Sequence, residues 1–579
     1  MKHLVSCRPL LLCLGLVIVV GFFAACGGQS EPEALVEEET SAVTITVSPD
    51  LPSDIPGGAP NADLSQASAF AWQEFIALNW PAVAQTGQNN TRGVADSNAL
   101  FGQGDGPLVW ETYRNKVEIF PGNNGPPPGY VDDASQSYGF DALPQYIYNP
   151  DTVGNNGMIQ PCSTASSSTP FVNLDEVNEI GLNQMFAGIG PDSPAPGQQF
   201  IYLAKANRVE YTYVAANKWW NFDSNVQQVV SNTANYVKTN NASPPAGSTE
   251  YVSFPSGTVE VKTAWRLLGA GEDASRYHTA TVRHYENNAS GTPCYVDVEM
   301  AMMALHIIQK TPTAPYFIFA TFEQADNLRT SDGTMVEDVD GNIVANQNAT
   351  PLDPNVTSKN AVSANPANKD SIQVLSPSSA DCTPGDRLYY YNTEGEASPQ
   401  GSVCVNLRKH SIPQDVIDAN QAAHSAISSY NQANGVSGSP WGYYKLINVQ
   451  WLPINKPTPG QDYTGPDAAT YYLANIVVET DYNLQVFSGQ QQPKVSDGSN
   501  NKGLITDFNT DGTPYTNVYY GGNQYNMGGC MGCHGVAQDN GSDFSFIFPF
   551  PVDAPEVPEA VGEGTESYKK YLRLVPSER

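Results

Sequence analysis

The chain has 579 residues, enough for two or three domains and for a large core built without help from metals or cross-links. Acidic residues outnumber basic ones, 59 Asp and Glu against 28 Lys and Arg, giving a formal net charge of -31. Such a surface repels phosphate backbones and anionic headgroups, which excludes nucleic acid as a partner.

The N-terminus reads as a targeting segment. Lys2 and Arg8 flank an apolar run at 10–25, "LLLCLGLVIVVGFFAA", and Cys26 and two glycines come next. Positive charge, an apolar stretch and small residues before a boundary mark a secretory signal, expected to occupy 1–25. The residues "FAAC" resemble a bacterial lipobox with Phe23 where Leu is usual, so Cys26 is expected to carry lipid. An uncleaved anchor is the alternative, but the run is short for a full span. Gly27, rather than Asp, after the cysteine points to the outer membrane, facing the periplasm or the cell surface. Residues 26–62 are acidic and rich in Pro and Gly, which predicts a disordered tether reaching at most ~100 Å.

Residues 63–500 predict a β-rich α+β body, large and irregular, with a few helices. Leu64, Ala67, Ala71, Phe75 and Leu78 recur at helical spacing over 64–80 before Pro81, with Trp72 and Trp80 as core residues. Short runs of Val, Ile, Tyr and Thr broken by turn residues predict strands at 108–120, 199–205, 259–268, 278–286, 295–310 and 316–324. The last four lie close enough in the chain to be antiparallel neighbours. Helices are expected at 413–432 and 468–487, and 325–375 reads as an inserted loop. Within that loop "DVDGN" (338–342) hints at calcium, but its glycine is misplaced for a helix-loop-helix site, and a plain turn is the simpler reading.

Cysteine usage fits an oxidising compartment. Of the 9 cysteines, Cys7 and Cys13 leave with the signal and Cys26 takes lipid. Cys162, Cys294, Cys382 and Cys404 form an even remainder, which suggests two disulfides among three possible pairings. Cys382 and Cys404 flank one loop whose closure is worth about 3 kcal/mol. Cys162 with Cys294 then follows by elimination.

The last two cysteines lie in "GGCMGCHG" (528–535). Two thiols separated by two residues, with a histidine directly behind, form the pattern that attaches haem c covalently. Cys530 and Cys533 would add across the vinyl groups, and His534 would sit beneath the iron as its proximal ligand. A cytochrome c domain supplies its second axial ligand downstream, yet residues 535–579 contain neither Met nor His. The segment 501–579 therefore has to be completed by the body packed against it. Downstream of the motif, in "DFSFIFPFP" (543–551), Phe544, Phe546, Phe548 and Phe550 alternate as on a strand.

His306 leads the candidates for a distal ligand, because it lies in the apolar run "MMALHIIQKTP". There an imidazole needs a hydrogen bond or a metal. A hydrogen-bonded core histidine is the plainer reading. Met302 and Met303 rival it, Met527 and Met531 adjoin the motif too closely, and His278, His284, His410 and His424 sit in more polar stretches. A five-coordinate iron with no second protein ligand stays open.

Several segments resemble a group of bacterial exported proteins described as cytochrome c family proteins, which pair a large N-terminal region with one late haem motif. The likeness lies in "FAWQEFIALNWP" (70–81), "LVWETYRNKVEIFP" (108–121), "VEVKTAWRLL" (259–268), "ALHIIQKTPTAPYFIFATFEQADN" (304–327), "YYLANIVVET" (471–480) and "CMGCHGVAQDNGSDFSFIF" (530–548). The resemblance implies haem residues at Cys530, Cys533 and His534, and it brings no activity with it. The lipobox and the 325–375 insertion lie outside it. Two roles are compatible with one late haem: single-electron transfer with a redox partner protein, or a haem enzyme or small-molecule sensor with an open distal site. The sequence holds no nucleophile elbow, zinc-protease motif or phosphate loop to decide for an enzyme.

Overall fold

The computed structural model describes residues 44–176, 200–327, 337–344, 412–454, 475, 477–478, 518–525, 529–548 and 557–560, less positions 89, 105, 133–136, 164–167, 222, 270 and 289; of 186–189, 362–364, 372–374 and 388–391 it describes the backbone. The expected helix at 468–487 lies outside these residues, save 475 and 477–478, as do Cys26, Cys382, Cys404, His410, Met527 and Phe550.

The centre of the molecule is a nine-stranded sheet. Its strands in chain order are β1 (Arg114–Asn115), β2 (Gln160–Pro161), β3 (Val172–Leu174), β4 (Ile201–Ala206), β5 (Val259–Arg266), β6 (Thr279–Asn287), β7 (Pro293–Gln309), β8 (Ile318–Gln324) and β9 (Tyr444–Gln450). Spatially they run β1-β4-β5-β7-β6-β3, with β8 on β7 and β9 on β8. The four runs expected as antiparallel neighbours are β5 to β8, and all pair through the 17-residue β7. Met300 to Gln309 of β7 are buried without alternation, the pattern of a strand covered on both faces.

Among the described residues five longer helices accompany the sheet: α1 (Leu64–Leu78), α2 (Arg208–Asn217), α3 (Ser224–Asn240), α4 (Gln414–Asn434) and α5 (Gly529–Asp539). An Asp63–Gln66 capping box starts α1, and Pro413 precedes α4, as N-terminal signals should. Trp72 and Phe75 of α1 pack on Phe322 of β8, with ring centroids 5.1 and 4.4 Å apart. Asn420 of α4 accepts the Trp72 indole hydrogen at 2.8 Å. These two helices therefore cover the face of β8 that carries Phe322. The opposite face, carrying Phe319, meets α5. No helix of the described residues is long and apolar enough to cross a membrane.

Four expectations need correction. Residues 44–62 are not a free tether: Ile45, Ile55 and Ala59 are buried, and Asp54 accepts the Thr311 and Thr313 hydroxyls at 2.8 and 2.7 Å. The acidic, Pro-rich composition hides two isoleucines and a carboxylate that bind the end of β7. Residues 108–120 form only the two-residue β1 between helical turns, because Arg114 spends its guanidinium on the carbonyls of Phe140, Glu118, Pro128 and Gly139. Helices α2 and α3 lie where no helix is expected; both are polar and begin at side-chain caps, Asn207 and Asp223. Residues 543–548 form turns rather than a strand. Cys162 and Cys294 are joined in a disulfide with Cα atoms 4.9 Å apart, which ties β2 to the start of β7.

Candidate functional site

Helix α5 carries the motif, so Cys530, Cys533 and His534 fall at i, i+3 and i+4 on one side of a single turn. Its docking draws on distant parts of the chain. The Met531 amide donates to Gln450 Oε1 at 2.8 Å, and Gln538 exchanges two hydrogen bonds with the Tyr519 backbone at 2.9 and 2.8 Å. Gly541 ends the helix at φ 93°, where a Cβ would meet the Val230 carbonyl of α3 at 2.2 Å. Only glycine fits both the turn and that approach.

The chain then forms a strap, residues 543–546, across the end of the helix. Asp543 and Phe544 both adopt the left-handed conformation, at φ 52° and 68°. That geometry is strained for a side chain as large as phenylalanine, and such strain concentrates at functional sites. It aims the Phe544 carbonyl at His534 Nδ1, 2.5 Å away. A carbonyl can only accept, so Nδ1 carries the hydrogen and the ring lone pair belongs to Nε2. This is the tautomer that a metal-ligating histidine is given by a hydrogen bond from its other nitrogen. The imidazole sits between Phe319 and Phe546, with centroids 5.0 and 4.8 Å away, and Cys530 is buried.

Buried charge holds the strap. Lys310 Nζ reaches Asp543 Oδ2 at 2.6 Å, both side chains at most 1 % exposed, and the Phe254 amide donates to the same oxygen at 2.6 Å. Lys116 Nζ donates to the Phe546 carbonyl at 2.9 Å. Burial pushes the Asp543 carboxyl above its ordinary range, and the Lys310 ammonium opposes that shift. Ser545 Oγ accepts the amides of Ile547 and Phe548, both at 3.1 Å.

His306 is 8 % exposed on β7, opposite Lys262 and Thr321. Cross-strand partners and alternate residues share a sheet face. His306, Ile308, Thr321 and Phe319 therefore project together, toward the side where Phe319 meets His534. Met302, Met303 and Met531 are fully buried. His424 is occupied at both nitrogens, by Asp340 at 2.6 Å and the Tyr444 carbonyl at 2.8 Å. His278 pairs with Glu111 at 2.7 Å and stacks on Trp441. His284 is buried and stays neutral more readily than usual for that reason. In "DVDGN" the Asp338 carboxylate accepts the amides of Asp340 and Asn342, the work of a turn.

A thiol on the motif turn, an imidazole in the ligand tautomer and flanking phenylalanines fit a covalently attached haem. Among the described residues no three His, Cys, Asp or Glu side chains gather into a metal site. The Phe544 carbonyl, Lys310, Asp543 and Lys116 escaped the sequence reading. Their only signal is charge inside apolar runs, and opposite charges 233 residues apart give no hint of pairing. No protein-family model, curated protein or solved structure matches the chain.

Proposed function

We propose that this chain is an exported c-type cytochrome with one haem, anchored by lipid on Cys26 and passing single electrons to and from a redox partner protein. The observation that carries the reading is the His534 imidazole, oriented by the Phe544 carbonyl on the same helical turn as Cys530 and Cys533. Haem supplies an iron that changes oxidation state by one electron; Cys530 and Cys533 would fix it and His534 would bind it from below. His306, on the sheet face that α5 covers, is the proposed distal ligand. The Phe319 and Phe546 rings keep water from the imidazole, and the strap keeps its tautomer constant through each electron exchange. The resemblance to exported cytochrome c family proteins supports the same reading.

Expression of the chain from Gly27 onward with haem-attachment machinery tests it. The expected product carries covalent haem, with a low-spin ferric spectrum unmoved by cyanide or carbon monoxide, and His306→Ala converts it to high spin. A product without covalent haem overturns the reading. A high-spin iron that takes up those small molecules replaces the electron carrier with a haem enzyme or sensor.

A further inference from the structure

The loops at 127–143 and the end of α2 bring aromatic and apolar side chains to the surface. The Tyr130 ring touches both Trp220 and Tyr138, with centroids 4.6 and 6.0 Å away, and all three residues are half-buried. Val131 is 59 % exposed and Leu143 50 %. The two flank one close approach, since a Cβ on Gly129 would run into the Ala142 side chain. Exposed apolar clusters mark contact surfaces, and Trp and Tyr are the side chains that anchor them.

The cluster is held rigid from below. Arg114, fully buried, donates through Nη2 to the Pro128 carbonyl at 2.8 Å and to the Gly139 carbonyl, so one guanidinium joins both loops. The Tyr211 hydroxyl donates to the Tyr138 carbonyl at 2.6 Å, and Tyr138 takes the left-handed conformation at φ 51°. Strain in so large a side chain persists where the surroundings over-determine it. A surface ordered in advance loses little entropy on binding.

Charge says what it meets. No Lys, Arg or His occurs between Lys116 and Lys205, while carboxylates recur there, Asp132, Asp151 and Glu176 among them. Cations from elsewhere in the chain are engaged: Lys218 with Asp132 at 2.6 Å, Arg208 with Asp141 at 2.9 Å and Arg92 with Glu118 at 2.9 Å. A chain of formal net charge -31 draws partners of the opposite sign. The cluster also leads inward to the motif. Trp219, beside Trp220, packs edge-on to Phe548 at 6.3 Å, and two residues earlier the Phe546 ring lies 4.8 Å from the His534 imidazole.

We propose that Tyr130, Val131, Tyr138, Leu143 and Trp220 form the face on which a basic redox protein docks to exchange one electron with the haem. The proposal rests on the cytochrome reading above. In each encounter the ferrous iron is oxidised and the partner's acceptor reduced by one electron, or the reverse. Net charge draws the partner in, and the aromatic face seats it over Trp220.

The test is the stopped-flow rate of electron exchange between the haem-loaded chain, from Gly27 onward, and a lysine-rich soluble cytochrome c as probe. The expected rate falls as salt rises. Val131→Lys sets like charge against the probe at an exposed position and should lower the rate about tenfold, with haem spectrum and midpoint potential unchanged. Ile343→Lys makes the same change at an exposed isoleucine that bridges to Glu337, and it should leave the rate as it is. Equal rates in the two variants, or a rate indifferent to salt, overturn the proposal while leaving the cytochrome reading standing. A native chain that dimerises in ultracentrifugation, with Val131→Lys monomeric, gives the face to a second copy and overturns it too. A chain that acquires no covalent haem overturns both.

Discussion

The two faces of the central sheet treat histidine and charge in opposite ways. On the α1 and α4 side, His424 has a carboxylate on one nitrogen and a carbonyl on the other, and Trp72 hands its hydrogen to Asn420. Aromatic rings fill the remaining space, with Phe75 touching Phe322, Trp441 and Tyr444. On the α5 side the polar groups do a different job. His534 has its Nδ1 hydrogen engaged, which assigns the lone pair to Nε2; the strap that engages it holds two left-handed residues, Asp543 and Phe544, and is pinned by the buried Lys310–Asp543 ion pair. Hydrogen bonds and packing build most of the first face; Glu74 of α1 is the exception, a buried carboxyl that burial raises above its ordinary range. Strain and buried charge, which destabilise unless something over-determines them, gather on the second, around the candidate site.

Removing one partner of the buried ion pair gives the largest expected effect on that contrast. Lys310→Met strands the Asp543 carboxylate beside the Phe254 amide and should cost roughly 3–5 kcal/mol. Urea unfolding reads the loss, and the spectrum of the proposed haem should change with it because the strap loses its clamp. Equal loss with an unchanged spectrum would reduce the strap to packing.

Buried Glu260 gives a smaller effect, and its sign follows from linkage. Glu260 titrates near 4.5 in the unfolded chain and at about 7 in the fold, so the folded chain holds the proton between those values. Its contribution to stability is complete below about 4.5 and is lost as pH rises through about 7. Glu210 and Glu74, both raised by burial, act with the same sign. Stability in urea should fall by about 1–3 kcal/mol across that interval, and by less in Glu260→Gln.

The smallest effect belongs to the other face. Trp72→Phe removes the hydrogen bond to Asn420 and should lower stability by about 1–2 kcal/mol, with no change in the haem spectrum. A spectral change there would mean that the sheet couples its two sides.

Legibility in the sequence follows the same division. Strands β5 to β8 are readable because Val, Ile, Tyr and Thr fill them, and α1 because Ala67, Ala71, Phe75 and Leu78 keep one spacing. The motif of Cys530, Cys533 and His534 is readable because it needs only three residues close in the chain. The strap is not. Alternating phenylalanines at 544, 546 and 548 mimic a strand, and only the pairing of Asp543 with Lys310 turns the segment away from a ladder. At 108–120 the β-rich composition misleads for a similar reason, since Arg114 and the Arg92–Glu118 pair at 2.9 Å bury charge there. Helix α2 lacks apolar periodicity, while α3 sets Val226, Val230, Thr233 and Val237 on one buried face within an otherwise polar run, and caps alone are weak signals.

The grip on the strap comes from Lys116 and Lys310, and the helix start leans on Gln450. These groups lie 81, 233 and 430 residues earlier in the chain than the groups they hold. Contacts that close loops of such length form late, so the docking of α5 is expected to set the pace at which the body reaches its final state.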